Sequence, residues 1–195
     1  MGAGHNQHGQ IEVTAWSNIQ SVACGWMHTL GLTDEGKVMA IGRNSEKQCN
    51  VEEWQDVVEV AAGDWHSLGL VKSGKVVATG NNAKKQSDVS GWSSIKEISC
   101  GYLHSLGLTI AGKVVSTGSN QHGQCDTDGW RDIVSISAGS YHSVGLTGDG
   151  HVVAVGSNEN GQCNVMEWQD IIEVSAGSNY TVGLRADGEL IKTKK

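Results

Sequence analysis

The sequence has no proline, no phenylalanine and only three tyrosines, yet it carries seven tryptophans in 195 residues. No apolar run approaches the roughly 18–20 residues of a membrane-spanning helix, so that class of segment is excluded. The opening residues MGAGHNQHGQ lack the charged and apolar blocks of a secretory leader. Cysteines are few and odd in number, five, with no Cys-x-x-Cys pair. Neither a disulfide framework nor a zinc ribbon is expected from such a set. Positive charge is scarce as well: 14 Lys and Arg stand against 21 Asp and Glu, a net charge of −7. Without a basic run, neither a nucleic acid nor an anionic membrane is an expected partner. These absences predict a thiol-reduced, cytoplasmic protein.

Glycine, by contrast, is abundant, and its positions are periodic. Of 27 glycines, 20 fall into four series with a constant step of 38 residues. One series is Gly25, Gly63, Gly101, Gly139 and Gly177; another is Gly31, Gly69, Gly107, Gly145 and Gly183. Trp16, Trp54, Trp92, Trp130 and Trp168 keep the same step, as do Asn6 to Asn158 and Gln10 to Gln162. Self-similarity at this length marks a repeat architecture. The chain therefore reads as one domain, 1–195, of five repeats at about 1–38, 39–76, 77–114, 115–152 and 153–190.

Within a repeat the period is that of strands. The fourth unit runs Trp130, Ile133, Val134, Ile136 and Ala138, then His142 to Thr147, a GDG turn, and His151 to Val155. No stretch shows the 3.6-residue period of a helix. Each unit predicts about three short antiparallel strands, closed by a turn whose glycine takes positive φ. A small sheet of this kind buries its faces only by stacking on a neighbour. Hairpin-linked units favour radial stacking, and the fold class expected is all-β, a β-propeller of five blades, with the recurrent tryptophan plugging the seams.

The pattern A/C-G-x-x-H-S/T-L/V-G-L-x-x-x-G-K-V-V-x-x-G-x-N-x-x-G-Q, clearest from Ala138 to Gln162, resembles the repeat of RCC1-like proteins. The short unit is similar to the β-lactamase inhibitory protein II type. The resemblance implies a propeller, usually seven-bladed, with a structural histidine and a protein-binding loop face. Five units depart from seven. Residues 1–5 also align with 191–195, duplicating part of one strand. A closed five-blade ring, an arc that self-associates, and a segment of a larger propeller are the three expectations for the ends.

Catalysis is not expected. His28, His66, His104 and His142 recur once per unit, with Tyr180 in fifth place. Equivalent positions in a ring stand too far apart for ligands near 2 Å from one metal. Successive His and Ser on a strand face opposite ways and make no nucleophile–base pair. The Gly-Asn loops lack the following helix of a phosphate site. Cofactors and metals are thus expected to be absent, and the cysteines to be small buried residues.

Two positions per unit escape the repeat, between the glycine and the histidine. They read Trp26-Met27, Asp64-Trp65, Tyr102-Leu103, Ser140-Tyr141 and Ser178-Asn179. Equivalent loops gather on one face of a propeller, and a Trp, Tyr and Met cluster there has the composition of an interface hot spot. The partner-binding candidates are Trp26, Met27, Asp64, Trp65, Tyr102, Leu103, Tyr141 and Asn179. A glycan-binding propeller, an exchange-factor-like regulator and a structural segment are the alternatives. The changing aromatic positions disfavour a lectin, whose sites would repeat.

Overall fold

The computed structural model describes residues 2–194. All regular structure among them is strand, arranged as five three-stranded antiparallel sheets. The first sheet holds β1 (Ile19–Cys24), β2 (His28–Thr33) and β3 (Val38–Gly42); the second holds β4 (Val57–Ala62), β5 (His66–Val71) and β6 (Val76–Gly80). In the third are β7 (Ile95–Cys100), β8 (His104–Thr109) and β9 (Val114–Gly118), and in the fourth β10 (Ile133–Ala138), β11 (His142–Thr147) and β12 (Val152–Gly156). The fifth is built from β13 (Ile171–Ala176), β14 (Thr181–Arg185) and β15 (Leu190–Lys192). No helix among the described residues is long and apolar enough to cross a membrane.

Local chemistry sets the outline of each blade. The turn glycines Gly36, Gly74, Gly112, Gly150 and Gly188 have φ of +74 to +89°, the left-handed region open to glycine. A bulge interrupts the first strand pair of every sheet one residue after its start, as between Ile19 and Ser21. Just before it sit Asn18, Asp56, Ser94, Asp132 and Asp170, with φ of +54 to +58°. Asn and Asp tolerate this geometry best, and the carbonyl of each accepts the N–H of a turn residue, as Asp34 donates to Asn18 at 3.0 Å.

Packing then joins blade to blade. Leu30, Leu32 and Val38 of the first sheet bury against Val51, Trp54, Val57 and Val60 of the second unit. The same set recurs between each successive pair, giving four apolar seams. The tryptophan's six-membered ring lies against a strand glycine: a Cβ on Gly69 would sit 2.8 Å from the Trp54 ring. Seam-plugging by tryptophan is therefore observed, and the recurrent glycine is its seat. Inner strands are also linked edge to edge across the seams. Glu97 accepts the N–H of Ile136 at 3.0 Å, and the Ser99 and Ser137 hydroxyls accept from Ala138 and Ala176 at 3.0 and 2.9 Å.

Among the described residues no comparable seam joins the first sheet to the fifth. Val13, Trp16, Ile19 and Val22 border an open hollow on the first blade, and Val182, Leu184 and Leu190 border another on the last. The strand duplicated at the two ends is formed by the C-terminal copy, β15. Residues 2–4 take no strand, and Met1 and Lys195, which enter that overlap, lie outside the described residues.

Candidate binding face

The loops that carry the variable pairs are held by a frame independent of them. The N–H of each leading glycine donates to the carbonyl three residues on, Gly25 to His28 and Gly63 to His66 at 2.9 Å, and in the fifth unit Gly177 to Tyr180. From the next inter-blade loop a second N–H arrives: Arg43 donates to the Met27 carbonyl, Asn81 to Trp65, Ser119 to Leu103 and Ser157 to Tyr141, at 2.7–2.9 Å. The imidazole folds back on its glycine, where a Cβ on Gly101 would collide with the His104 ring and the Gly139 carbonyl.

Each histidine also reaches into the following blade. His28 Nε2 lies 2.9 Å from Ser67 Oγ, His66 2.9 Å from Ser105, His104 3.0 Å from Ser143 and His142 3.0 Å from Thr181. Every one of these hydroxyls donates its proton to a buried glutamine carbonyl, as Ser67 does to Gln48 at 2.8 Å. The hydroxyl must then accept from the ring, which fixes the Nε2–H tautomer and leaves Nδ1 bare. Nδ1 is buried without a partner in all four. A charged ring would strand an N–H there, and burial holds the four pKa values down at about 4, 3, 4 and 4 in chain order.

This arrangement differs from the sequence reading in one respect. Neighbouring His and Ser on a strand do diverge, but His and Ser of adjacent blades meet, 39 residues apart. The dyads are buried, with the serine proton already committed to a carbonyl, so they brace the seams and offer substrate no access. Among the described residues no group of three or more His, Cys, Asp or Glu is placed to hold a metal. The cysteines correct the expectation of burial: Cys49 alone is buried, Cys100, Cys125 and Cys163 are half-buried, and Cys24 is exposed where no blade covers it. Cys49, Cys125 and Cys163 donate to backbone carbonyls as the aligned Ser87 does.

The variable pairs do share one face. Trp26 and Trp65, from adjacent blades, meet edge to face with ring centres 5.0 Å apart. Tyr102 and Tyr141 form a second such pair at 5.3 Å. Trp26 and Tyr141 are exposed; Asp64, Trp65 and Tyr102 are half-buried. Met27 and Leu103 are half-buried beside the strand, and Leu103 lines a groove with Trp65 and Tyr102. Asn179 stands exposed on the fifth loop. Burial raises the Asp64 carboxyl to about 6. Tyr141 is raised by desolvation, with the nearby Tyr102 and Asp64 adding to it.

Further residues join this face from the inter-blade loops. The Arg43 guanidinium lies 4.4 Å over the Trp65 ring, and His122 packs on Tyr141 at 5.3 Å. Neither Arg43 nor His122 is among the partner-binding candidates drawn from the sequence. The signal for Arg43 was the repeat alignment, since it precedes Asn44, which recurs in every unit and whose loop binds the Met27 carbonyl.

The Regulator of chromosome condensation (RCC1) repeat matches residues 19–48, 57–86, 95–124 and 133–162, together more than half of the chain. No curated protein matches it. Among solved structures, Prp20p of Saccharomyces cerevisiae, characterised for binding to Gsp1p and histones, is 24% identical with a TM-score of 0.74, covering 91% of this chain and 57% of that one. Human WBSCR16 is 19% identical with a TM-score of 0.76, covering 90% and 61%. The CRINKLY ectodomain of the receptor kinase ACR4 from Arabidopsis thaliana is 20% identical with a TM-score of 0.75, covering 91% and 72%. The chain thus spans less than two thirds of the first two. At these identities the likeness concerns the fold alone.

Proposed function

Since the chain belongs to the family of RCC1-repeat proteins, we propose that it is a non-enzymatic protein-interaction module that grips its partner through the aromatic loop face. The observation that carries this is the pairing of Trp26 with Trp65 and of Tyr102 with Tyr141 across blades, on loops whose frame makes no use of those side chains. Aromatic anchors held rigidly at low entropic cost are the usual centre of a protein interface. Arg43 and Asp64 beside them supply opposite charges for orientation. Prp20p, on a related fold, binds the proteins Gsp1p and histones, which supports a protein partner over a small substrate.

The test is affinity capture with the wild type beside a Trp26→Ala/Tyr141→Ala variant, followed by titration of the captured protein. Each truncation is expected to weaken binding by about 2 kcal/mol with the far-ultraviolet spectrum and unfolding midpoint unchanged. A folded variant that retains the partner at full affinity would refute the assignment of this face.

A further inference from the structure

We propose that the axial pocket beside the aromatic face receives one cationic side chain, lysine or arginine, of the partner protein, with Asp64 as its counter-charge. This inference rests on the reading of the face as a protein-binding surface and specifies what that surface recognises.

The pocket lies where the inner-strand ends and Gly-x-x loops of all five blades converge. Its open volume is about 230 Å³, against about 30 Å³ for one water in the liquid, so the head of a long side chain fits. It is lined by the leading glycine of every loop and by small residues, among them Ser140 and Ser178, together with Tyr102. Asp64 is the one carboxylate among them, and no Lys, Arg or His lines the cavity. A negative charge thus borders an open-mouthed hollow that the protein itself fills with no cation.

The Asp64 carboxylate is also unspent. Among the described residues it takes part in none of the salt bridges, which involve Lys37, His151 and Arg185 with other acids. A carboxylate raised to about 6 by burial is one whose charged form lacks solvation, and a positive group at hydrogen-bond distance restores it. Aromatic surface stands ready on the rim, where Tyr102 meets Tyr141 edge to face. The molecule already binds its own cations in this manner, with Arg43 on Trp65 and Lys192 Nζ 4.1 Å over Tyr180. Cation–π contact and a half-desolvated carboxylate act in the same direction, and the net charge of −7 draws basic partners from a distance.

The test is a titration followed by tryptophan fluorescence and amide shifts, at about pH 7.5. Three probes are used: N-acetyl-Gly-Arg-Gly-amide, its lysine counterpart, and the neutral isostere with citrulline in place of arginine. The two cationic peptides are expected to bind at least about tenfold more tightly than the citrulline peptide, a factor of about 1.4 kcal/mol. Shifts are expected at the amides of Gly63, Gly101 and Gly139. Asp64→Asn, close in shape, is expected to abolish the preference, and the remote exposed Glu53→Gln to leave it intact. Lowering the pH to about 5 protonates Asp64 and is expected to remove the preference in the wild type.

Equal binding of citrulline and arginine, a preference that survives Asp64→Asn, or no saturable binding by roughly 20 mM peptide overturns the proposal. Capture of the partner keeps the two readings apart. Loss with Trp26→Ala/Tyr141→Ala but not with Asp64→Asn leaves the binding face standing and removes the cation receptor. Retention by the aromatic variant removes the face itself.

Discussion

Val22 and Val60 are the same residue at the same place in successive repeats, yet 63% of one is exposed and 8% of the other. Ile98, Ile136 and Val174, next in the series, are 4–8% exposed. At the opposite end Leu190 is 69% exposed, where Val38, Val76, Val114 and Val152 are 5–8%. A blade therefore owns only half of its core, and the other half belongs to its neighbour. The last blade shows this in its chemistry too. Tyr180 stands where four units have a seam histidine, and Lys192 where Ala40, Ala78 and Ala154 pack into seams. Stability in such an array is a sum over interfaces, so one substitution has different weight in a seam and at an end.

Acid is expected to break the seams most strongly. The four seam histidines have pKa values of about 3 to 4 when folded and about 6.5 when unfolded. The unfolded chain binds more protons between those limits, so stability is full above about pH 6.5 and falls as pH drops toward 4. Each histidine contributes about 1.4 kcal/mol per pH unit. Glu59, raised to about 7 by burial and the Glu97 charge, and Asp64, raised to about 6, act in the opposite sense; Asp64, being more exposed, offsets less. A net loss of about 3 kcal/mol per pH unit below 6 is expected in urea titrations. A stability that stays flat from pH 7 to 5 would contradict the buried Nε2–H tautomer.

Truncating the tryptophans compares the two regions directly. Trp54→Ala and Trp130→Ala empty a seam and are expected to lower stability by about 3–5 kcal/mol. Trp16→Ala, on the uncovered face, is expected to lower it by about 1 kcal/mol. Chemical unfolding midpoints distinguish these outcomes, and equal losses would mean that the first face is covered in solution.

A smaller contrast concerns the polar brace. Ser105→Ala removes the acceptor of His66 and the donor to Gln86, both buried, and is expected to lower stability by about 2–3 kcal/mol. Thr29→Ala loses only the bond to the Gln10 carbonyl at 2.7 Å, about 1 kcal/mol. A double-mutant cycle of His66 and Ser105 measures their coupling, and additive losses would show that the 2.9 Å contact carries none.

Smallest of all is the acidic pair. Glu59, within a seam, accepts the Ile98 N–H at 3.3 Å, and glutamine accepts the same bond without charge. Glu59→Gln is expected to stabilise by about 1 kcal/mol at pH 8 and by nothing at pH 4, where the carboxyl is protonated. The exposed Glu173→Gln is expected to change stability by less than about 0.5 kcal/mol at either pH.

Much of this was legible in the 38-residue step, because a position constrained in every blade repeats its residue type. Trp54 and Gly69, His66 and Gly63, and the turn at Gly74 were visible in that way. Contacts between blades were harder to see. His28 finds Ser67, and Trp65 finds Arg43, through packing of one sheet on another, and reading along one unit does not reveal which neighbour it touches. The serine carried a faint signal, since Ser or Thr follows the histidine position in every unit. Exposure at the ends carried none: Val22 looks like its buried counterparts Val60, Ile98, Ile136 and Val174, and only the missing neighbour sets it apart. The candidate face was legible for the opposite reason, as the place where the repeat stops repeating.

The loop frame has a consequence for how such molecules diversify. Its bonds run from glycine N–H to histidine carbonyl and from loop N–H to loop carbonyl, so the frame draws no hydrogen bond from the two intervening side chains. Each blade presents two interchangeable characters on a fixed grid. A lineage can rewrite its recognition surface one residue at a time, keeping a foldable chain at every step and confining each change to a single tile of the mosaic.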